Sequence, residues 1–341
     1  ALDLAERRAY ERLVKSVLWS QITPDVLGLP DANVSAIAVD GDDVWIGTFN
    51  GGAARYSQST GIASRFTPAT SKWQLAETIR SIEVDDNWVW FGTFEGLSVY
   101  SKATSRIWRI AKFGAPGAKR GDPPPLSIVA LEGLDGGIAV SAIGSGGEAR
   151  GLWLAEDPDG EWKRVQDGDL PGRRVTALAQ AGATLYIGTE DRGVAEMDLK
   201  SGRVHRAAAP WTAGAVNVQA LTVDEEGMVW IGTYGTGIYR WNPTTNDIAQ
   251  YSTSSGTMAD DYVLAATTME GAVVFGTFGA GAYHYSVSDD RWTTIDLDSG
   301  LIALEITAIA HAGAYTYFGT LGSGVAVLAN SLEHAAHAAS F

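Results

Sequence analysis

Any chemistry in this chain has to be done without thiols. Its 341 residues contain no cysteine and only five histidines: His205, His284, His311, His334 and His337. The missing cysteines exclude disulfides, thiolate metal sites and cysteine nucleophiles. The last two histidines lie in the C-terminal tail. The other three fall in different repeat units: His205 in a fourth strand, His284 in a third, and His311 in a turn between first and second strands. That scatter supports neither a three-histidine metal centre nor a Ser-His-Asp triad. No P-loop or dinucleotide fingerprint is present. The expectation is therefore no metal, no cofactor and no catalytic constellation.

What remains are polar and aromatic residues at recurring positions. Phe49, Phe94, Tyr234 and Phe278 each follow a Gly-Thr pair, and Trp73, Trp211 and Tyr262 stand in loops leading into the next unit. Rings at a pocket mouth can stack on flat ligands or grip apolar side chains; packing between units is the alternative. Arg80, Glu83 and Gln219 interrupt segments whose sister copies mostly carry Ser, Thr or Ala. They would face a ligand, or Arg80 and Glu83 would form an internal ion pair. Two long loops, Ala111 to Leu126 and Ile143 to Gly151, bring Lys112, Lys119, Arg120 and Arg150 together. Arg173, Arg174 and Arg192 lie on the matching loops of the next unit. Asp122, Glu148, Asp167, Asp169, Glu190 and Asp191 offset them, which allows either a solvated rim or a docking surface. The candidate ligand-binding set is Phe49, Arg80, Glu83, Phe94, Arg150, Tyr234, Tyr262 and Phe278.

The elements that position these residues are repeats. VWIGTFNGG, VWFGTFEG, LYIGTEDRG, VWIGTYGTG, VVFGTFGAG and YFGTLGSG place glycines at 47, 92, 188, 232, 276 and 319. The intervals are 43 to 45 residues apart from one of 96, which must hide a degenerate copy. GGIAVSAIGSGG, Gly136 to Gly147, fills that place, with Ser141 near the Gly-Thr step. Each of the seven units shows four period-two segments: a small-residue strand, the Gly-Thr strand, a strand after a glycine, and a polar outer strand. Four-stranded units repeated at this period make a β-propeller. The last unit stops after its third strand, GVAVL. SVLWSQI, Ser16 to Ile22, is expected to supply the fourth and close the ring. Residues 1–15 read as a helical segment, 16–330 as a seven-bladed propeller, and 331–341 as a tail whose Ser-Leu-Glu-His resembles a vector-derived scar. The Asp/Gly-rich links, such as Asp40 to Asp43, lack EF-hand spacing and read as hairpin turns.

The segments Val34 to Tyr56 and Val218 to Trp241 resemble the two-component regulator propeller repeat, and the resemblance extends over all seven units. It implies an all-β, seven-bladed sensor or binding propeller. Members of that family often sense outside the cytoplasm for membrane-bound histidine kinases. The 341 residues hold no kinase, receiver, membrane segment or obvious immunoglobulin-like adaptor, so the resemblance implies a sensor or binding propeller whose output machinery is either absent or carried by a separate signalling partner. Propeller lyases that inactivate streptogramins look similar in fold, but they depend on His and Glu near the axis, and no first strand here is expected to carry a histidine.

Composition agrees with this reading. Lys and Arg number 25 against 40 Asp and Glu, a net charge of −15, which excludes a nucleic-acid-coating role. No apolar run reaches the roughly 18 residues of a membrane helix. Ala1 in place of Met is consistent with a processed or trimmed start, and the resemblance implies a periplasmic or extracellular location. The reading is a non-catalytic propeller that binds a protein, carbohydrate or small molecule. The alternatives are a lyase or hydrolase using Arg80 and Glu83 in the channel, and a structural subunit of a surface complex.

Overall fold

The computed structural model describes residues 17–72, 74–110, 127–144, 149–165, 170, 172, 174–206 and 215–331. They form seven antiparallel sheets of four strands each. Blade one comprises Val34–Asp40, Asp43–Thr48, Ala53–Ser57 and Ala63–Phe66. The first strands of blades two to seven are Ile79–Val84, Ser127–Leu134, Val175–Ala181, Val216–Val223, Val263–Met269 and Ile306–Ala312. Each first strand touches those of the neighbouring blades, and blade seven's touches blade one's, so the sheets close into a ring.

Closure comes from the N-terminal strand. Trp19–Ile22 pairs antiparallel with Val325–Ala329, Trp19 opposite Leu328 and Ile22 opposite Val325. The strand is shorter than its expected span: Val17 and Leu18 are not extended, and Ser16 lies outside the described residues. A four-residue helix, Pro24–Leu27, leads from it into blade one. The expected N-terminal helix and the tail beyond Ser331 also lie outside the described residues.

The core lies between blades. Trp45 of blade one packs with Ile79, Ile82, Phe91 and Tyr100 of blade two. Trp230 of blade five packs with Val273, Phe275, Tyr283 and Tyr285 of blade six. Each such large side chain contributes about 1.5–3 kcal/mol through burial. The Gly-Thr step belongs to this packing. A Cβ at Gly47 would stand 2.6 Å from Ile79 Cγ2, at Gly188 2.7 Å from Val216 Cγ1, and at Gly319 2.6 Å from Val34 Cγ1. The glycine thus admits the β-branched residue that opens the next blade. In blade three Ser141 takes the place, opposite Ala130, and its hydroxyl donates to Val175 O of blade four at 2.7 Å.

The acidic links at the opposite end of the strands are turns, and their carboxylates are engaged. Asp85 accepts hydrogen bonds from the backbone of Asn87 and Trp88 and from Trp90 Nε1. Asp224 does the same for Glu226, Met228 and Trp230 Nε1. Asp40 pairs with Lys102, Asp43 with Arg55, and Asp42 accepts from Ser57 and Ser59.

Candidate functional site

The candidate face is the mouth where first strands begin and second strands end. Two local devices build it. The first is the threonine of each Gly-Thr pair. Thr48, Thr93, Thr189, Thr233, Thr277 and Thr320 are buried and donate to a backbone carbonyl in the turn that follows. Each turn is thereby stapled, and the residue after the threonine is thrown outward. Phe49, Phe94, Tyr234, Phe278 and Leu321 are 37%, 50%, 64%, 54% and 41% exposed. They occupy blades one, two, five, six and seven, a continuous arc of five blades. Tyr262, from the loop into blade six, meets Tyr234 edge-on with ring centroids 4.9 Å apart. These rings are not buried between blades. Leu321 is aliphatic and so falls outside the aromatic pattern of the sequence, although its position after Gly319-Thr320 matches that of the rings.

The second device is a bulge at the start of each first strand. Register slips by one residue between Val34 and Ala36, Ile79 and Ser81, Ile128 and Ala130, Val175 and Ala177, Val263 and Ala265, and Ile306 and Ala308. A bulge re-aims the extra side chain. The residues so placed are Ser35, Arg80, Val129, Thr176, Leu264 and Thr307, and Arg80 alone among them is charged. In blade five the slip runs from Val216 to Leu221, two residues longer than elsewhere. Gln219 sits there with a φ of 61°. Its Nε2 donates to Ser35 O at 2.9 Å and Arg80 O at 2.8 Å. Blades one and two face blade five across a seven-fold ring, so this side chain spans the channel.

Arg80 is half-buried beside that bridge. Its guanidinium lies 4.8 Å from the centroid of the Phe94 ring. Among the described residues it forms no salt bridge and its side chain donates no hydrogen bond. Burial and the nearby positive charge of Arg174 hold its pKa below the ordinary value. Neighbouring charges are already paired: Arg174 grips both oxygens of Glu190 at 3.0 and 2.9 Å, and Arg109 meets Glu95 at 3.0 Å. Arg192 stands 3.7 Å from Asp191.

Glu83 does not join Arg80. It lies three residues along the strand, about 10 Å away, and points toward blade three, where a Cβ on Gly133 would stand 3.0 Å from Glu83 Oε1. The residue at the same position one blade on is Glu132, whose Oε1 accepts from Gln180 N at 2.6 Å. Burial raises both carboxyl pKa values, and the two interact. This pair lies inside the wall of blades two to four, away from the mouth. The expected ion pair is replaced by two carboxyls because Arg80, on the bulge, is turned to the mouth.

The histidine placement needs one correction. His311 lies within the first strand of blade seven, which runs on to Ala312 before the tight Gly313-Ala314 turn. It is at the strand end away from the mouth, with Nδ1 3.0 Å from Thr316 Oγ1, and burial lowers its pKa. His205 and His284 lie on fourth and third strands as expected. Among the described residues no three His, Asp or Glu side chains gather at metal-binding distance. Trp73, Trp211, Lys112, Lys119, Arg120 and Arg173 lie outside the described residues, as does the side chain of Arg150. Cavities occur between blades instead: one of about 410 Å³ beside Leu134, Leu154 and Leu199, and one of about 280 Å³ beside Ile22, Tyr56 and Tyr317.

Residues 28–50 match the family model described as two component regulator propeller. No curated relative matches the sequence. Among solved structures, the chain is similar to the extracellular domain assigned to the hybrid two component system BT3049 from B. thetaiotaomicron. The TM-score is 0.73 at 16% identity, over 92% of this chain and 42% of that one. It is also similar to the extracellular domain assigned to the one component system BT4673 from the same organism, with a TM-score of 0.68 at 19% identity, over 91% of this chain and 40% of that one. The computationally designed protein Ika8 matches with a TM-score of 0.58 at 15% identity, over 89% of this chain and 98% of that one. The chain spans 40–42% of the length of the two bacterial domains, and at these identities the likeness shows a shared fold. Ring topology and these likenesses make this chain a seven-bladed β-propeller, one repeat of which, residues 28–50, matches the two component regulator propeller model.

Proposed function

We propose that this propeller is a non-catalytic recognition module that receives its ligand on the mouth face, in an extracellular or periplasmic setting. The observation that carries the reading is the continuous arc of Tyr234, Phe278, Leu321, Phe49 and Phe94, each exposed on a stapled turn. Exposed apolar side chains scattered singly need no explanation, but five at one structural position on consecutive blades form a surface. The two bacterial neighbours are extracellular domains assigned to a hybrid two component system and a one component system, which favours a sensing role and that location. The candidate carboxylates for acid–base work lie in the blade wall rather than beside the arc, which favours binding over catalysis.

The test is a thermal-shift screen of neutral oligosaccharides, short peptides and small organic acids, followed by titration of each hit against Phe94→Ala/Tyr234→Ala. Both rings are at least half exposed, so the double variant should melt within about 2 °C of the parent, as surface changes do. Loss of two stacking surfaces should weaken a mouth ligand about tenfold or more. A hit that binds the folded double variant with full affinity removes this face from consideration.

A further inference from the structure

We propose that the Arg80 guanidinium is the receptor for a carboxylate group, so that the ligand of the mouth face is an organic monoanion with a flat or apolar body. The inference rests on the mouth-face reading above and adds the chemical class. Three observations carry it. First, Arg80 is the single charged residue among the bulge positions described, and the bulge aims it at the mouth. Second, it is positioned from both ends. Its carbonyl accepts from Gln219, reaching across the channel, and its guanidinium rests on the Phe94 ring. Gln219 reaches it only through a two-residue insertion with a positive φ, a strained arrangement of the kind found at ligand clamps. Third, its guanidinium has no acceptor among the described residues, although burial in the mouth makes an unpaired cation unfavourable there.

The chemistry of the free edge selects the anion. A guanidinium whose carbon lies over a ring and whose N–H groups have no acceptor among the described residues can offer its planar fork to the two oxygens of a carboxylate. A phosphate dianion would call on a second cation. Among the described residues the cation whose charge acts on Arg80 is Arg174, and it is already held by both oxygens of Glu190. With a net charge of −15 the chain as a whole repels anions, so attraction at the mouth must be local. Phe94, half exposed beside the guanidinium, offers the apolar surface on which the body of the ligand would lie.

The probes are phenylacetate and its uncharged counterpart phenylacetamide, titrated into the whole chain at low ionic strength and followed by NMR. Phenylacetate should bind about tenfold or more tightly than the amide, as expected for a charge-assisted bidentate contact. Arg80→Gln should abolish that preference, Arg80→Lys should retain part of it, and added salt should weaken phenylacetate alone. Melting curves of the variants check that the ring is intact. Equal binding of the two probes overturns the carboxylate assignment. If that equal binding is lost in Phe94→Ala/Tyr234→Ala, the mouth-face reading stands without it. A preference that survives in folded Arg80→Gln, or no binding of phenylacetate up to tens of millimolar, also overturns the assignment. An Arg80-dependent preference indifferent to Tyr234→Ala and Phe278→Ala supports the anion site and removes the wider aromatic face.

Discussion

Replacing Glu132 by glutamine should make the propeller more stable, and increasingly so as pH rises. Burial pushes the Glu83 carboxyl up to about 7 and the Glu132 carboxyl up to about 8, against an ordinary value of 4.5; the charge of Asp85 adds to the shift of Glu83, and that of Glu83 to the shift of Glu132. A carboxyl whose folded pKa is raised contributes stability that is full below about pH 4.5. That contribution is lost as pH climbs through the folded pKa. Between those limits the loss is about 1.4 kcal/mol per pH unit for each such group. From pH 5 to 8, one carboxyl therefore removes on the order of 3 kcal/mol. For a chain of this size that is about 4–6 °C in Tm. Glutamine keeps an oxygen to accept the Gln180 N–H, now made to Glu132 Oε1, and its amide can donate toward Glu83 as a protonated acid would. Removing one charge also lets Glu83 ionise more easily. Melting curves of parent and Glu132→Gln at half-unit steps from pH 5 to 8 provide the assay. Groups other than Glu83 titrate equally in both proteins and cancel in the difference. The two should melt together near pH 5, and the variant should lead by several degrees at pH 8. Parallel curves across this window would refute a coupled buried pair in the wall of blades two to four.

Further outcomes follow from the ring itself. Gln219→Gly keeps the positive φ but deletes the cross-channel amide with its two hydrogen bonds; at about 1 kcal/mol each, Tm should drop by about 2–4 °C, and an unchanged melt contradicts a structural bridge. Removing residues 1–22 uncovers the Val325–Ala329 edge, so Tm should fall sharply and size-exclusion should show oligomers; monomeric elution with an unaltered melt argues against this closure. Gly276→Ala places a Cβ about 2.6 Å from Ile306 Cγ2 and should destabilise by about 1–3 kcal/mol through overpacking. A melt equal to the parent would show that blades six and seven can separate at no cost.

Legibility in the sequence tracked periodicity. Blade count, the hidden third blade around Ser141 and the closing role of Trp19–Ile22 were all readable, because every unit must bury the same faces against its neighbour and so repeats the same residue types. The aromatics after Gly-Thr were readable for the same reason. Arg80, Glu83 and Gln219 were visible as departures from the repeat, but their directions were not. Arg80 and Glu83 are of opposite charge and close in sequence, but three residues apart on one strand they face opposite sides. A bulge rotates one toward the mouth while the pleat sends the other toward blade three. His311 was misplaced by a few residues because a strand end and a turn have nearly the same composition there.

The architecture follows from the residue pattern alone: seven units, four strands in each, and a ring closed by the N-terminal strand. Local patterning, turn chemistry and the small residue before threonine all point to one fold. Tertiary structure decided which residues share a place. Only ring closure brings Gln219 opposite Ser35 and Arg80, more than 130 residues away along the chain, and only the packing of adjacent blades sets Glu132 against Glu83. Such contacts depend on the summed rotation of several blades and on two inserted residues in one bulge. These are geometric consequences that no local periodicity encodes.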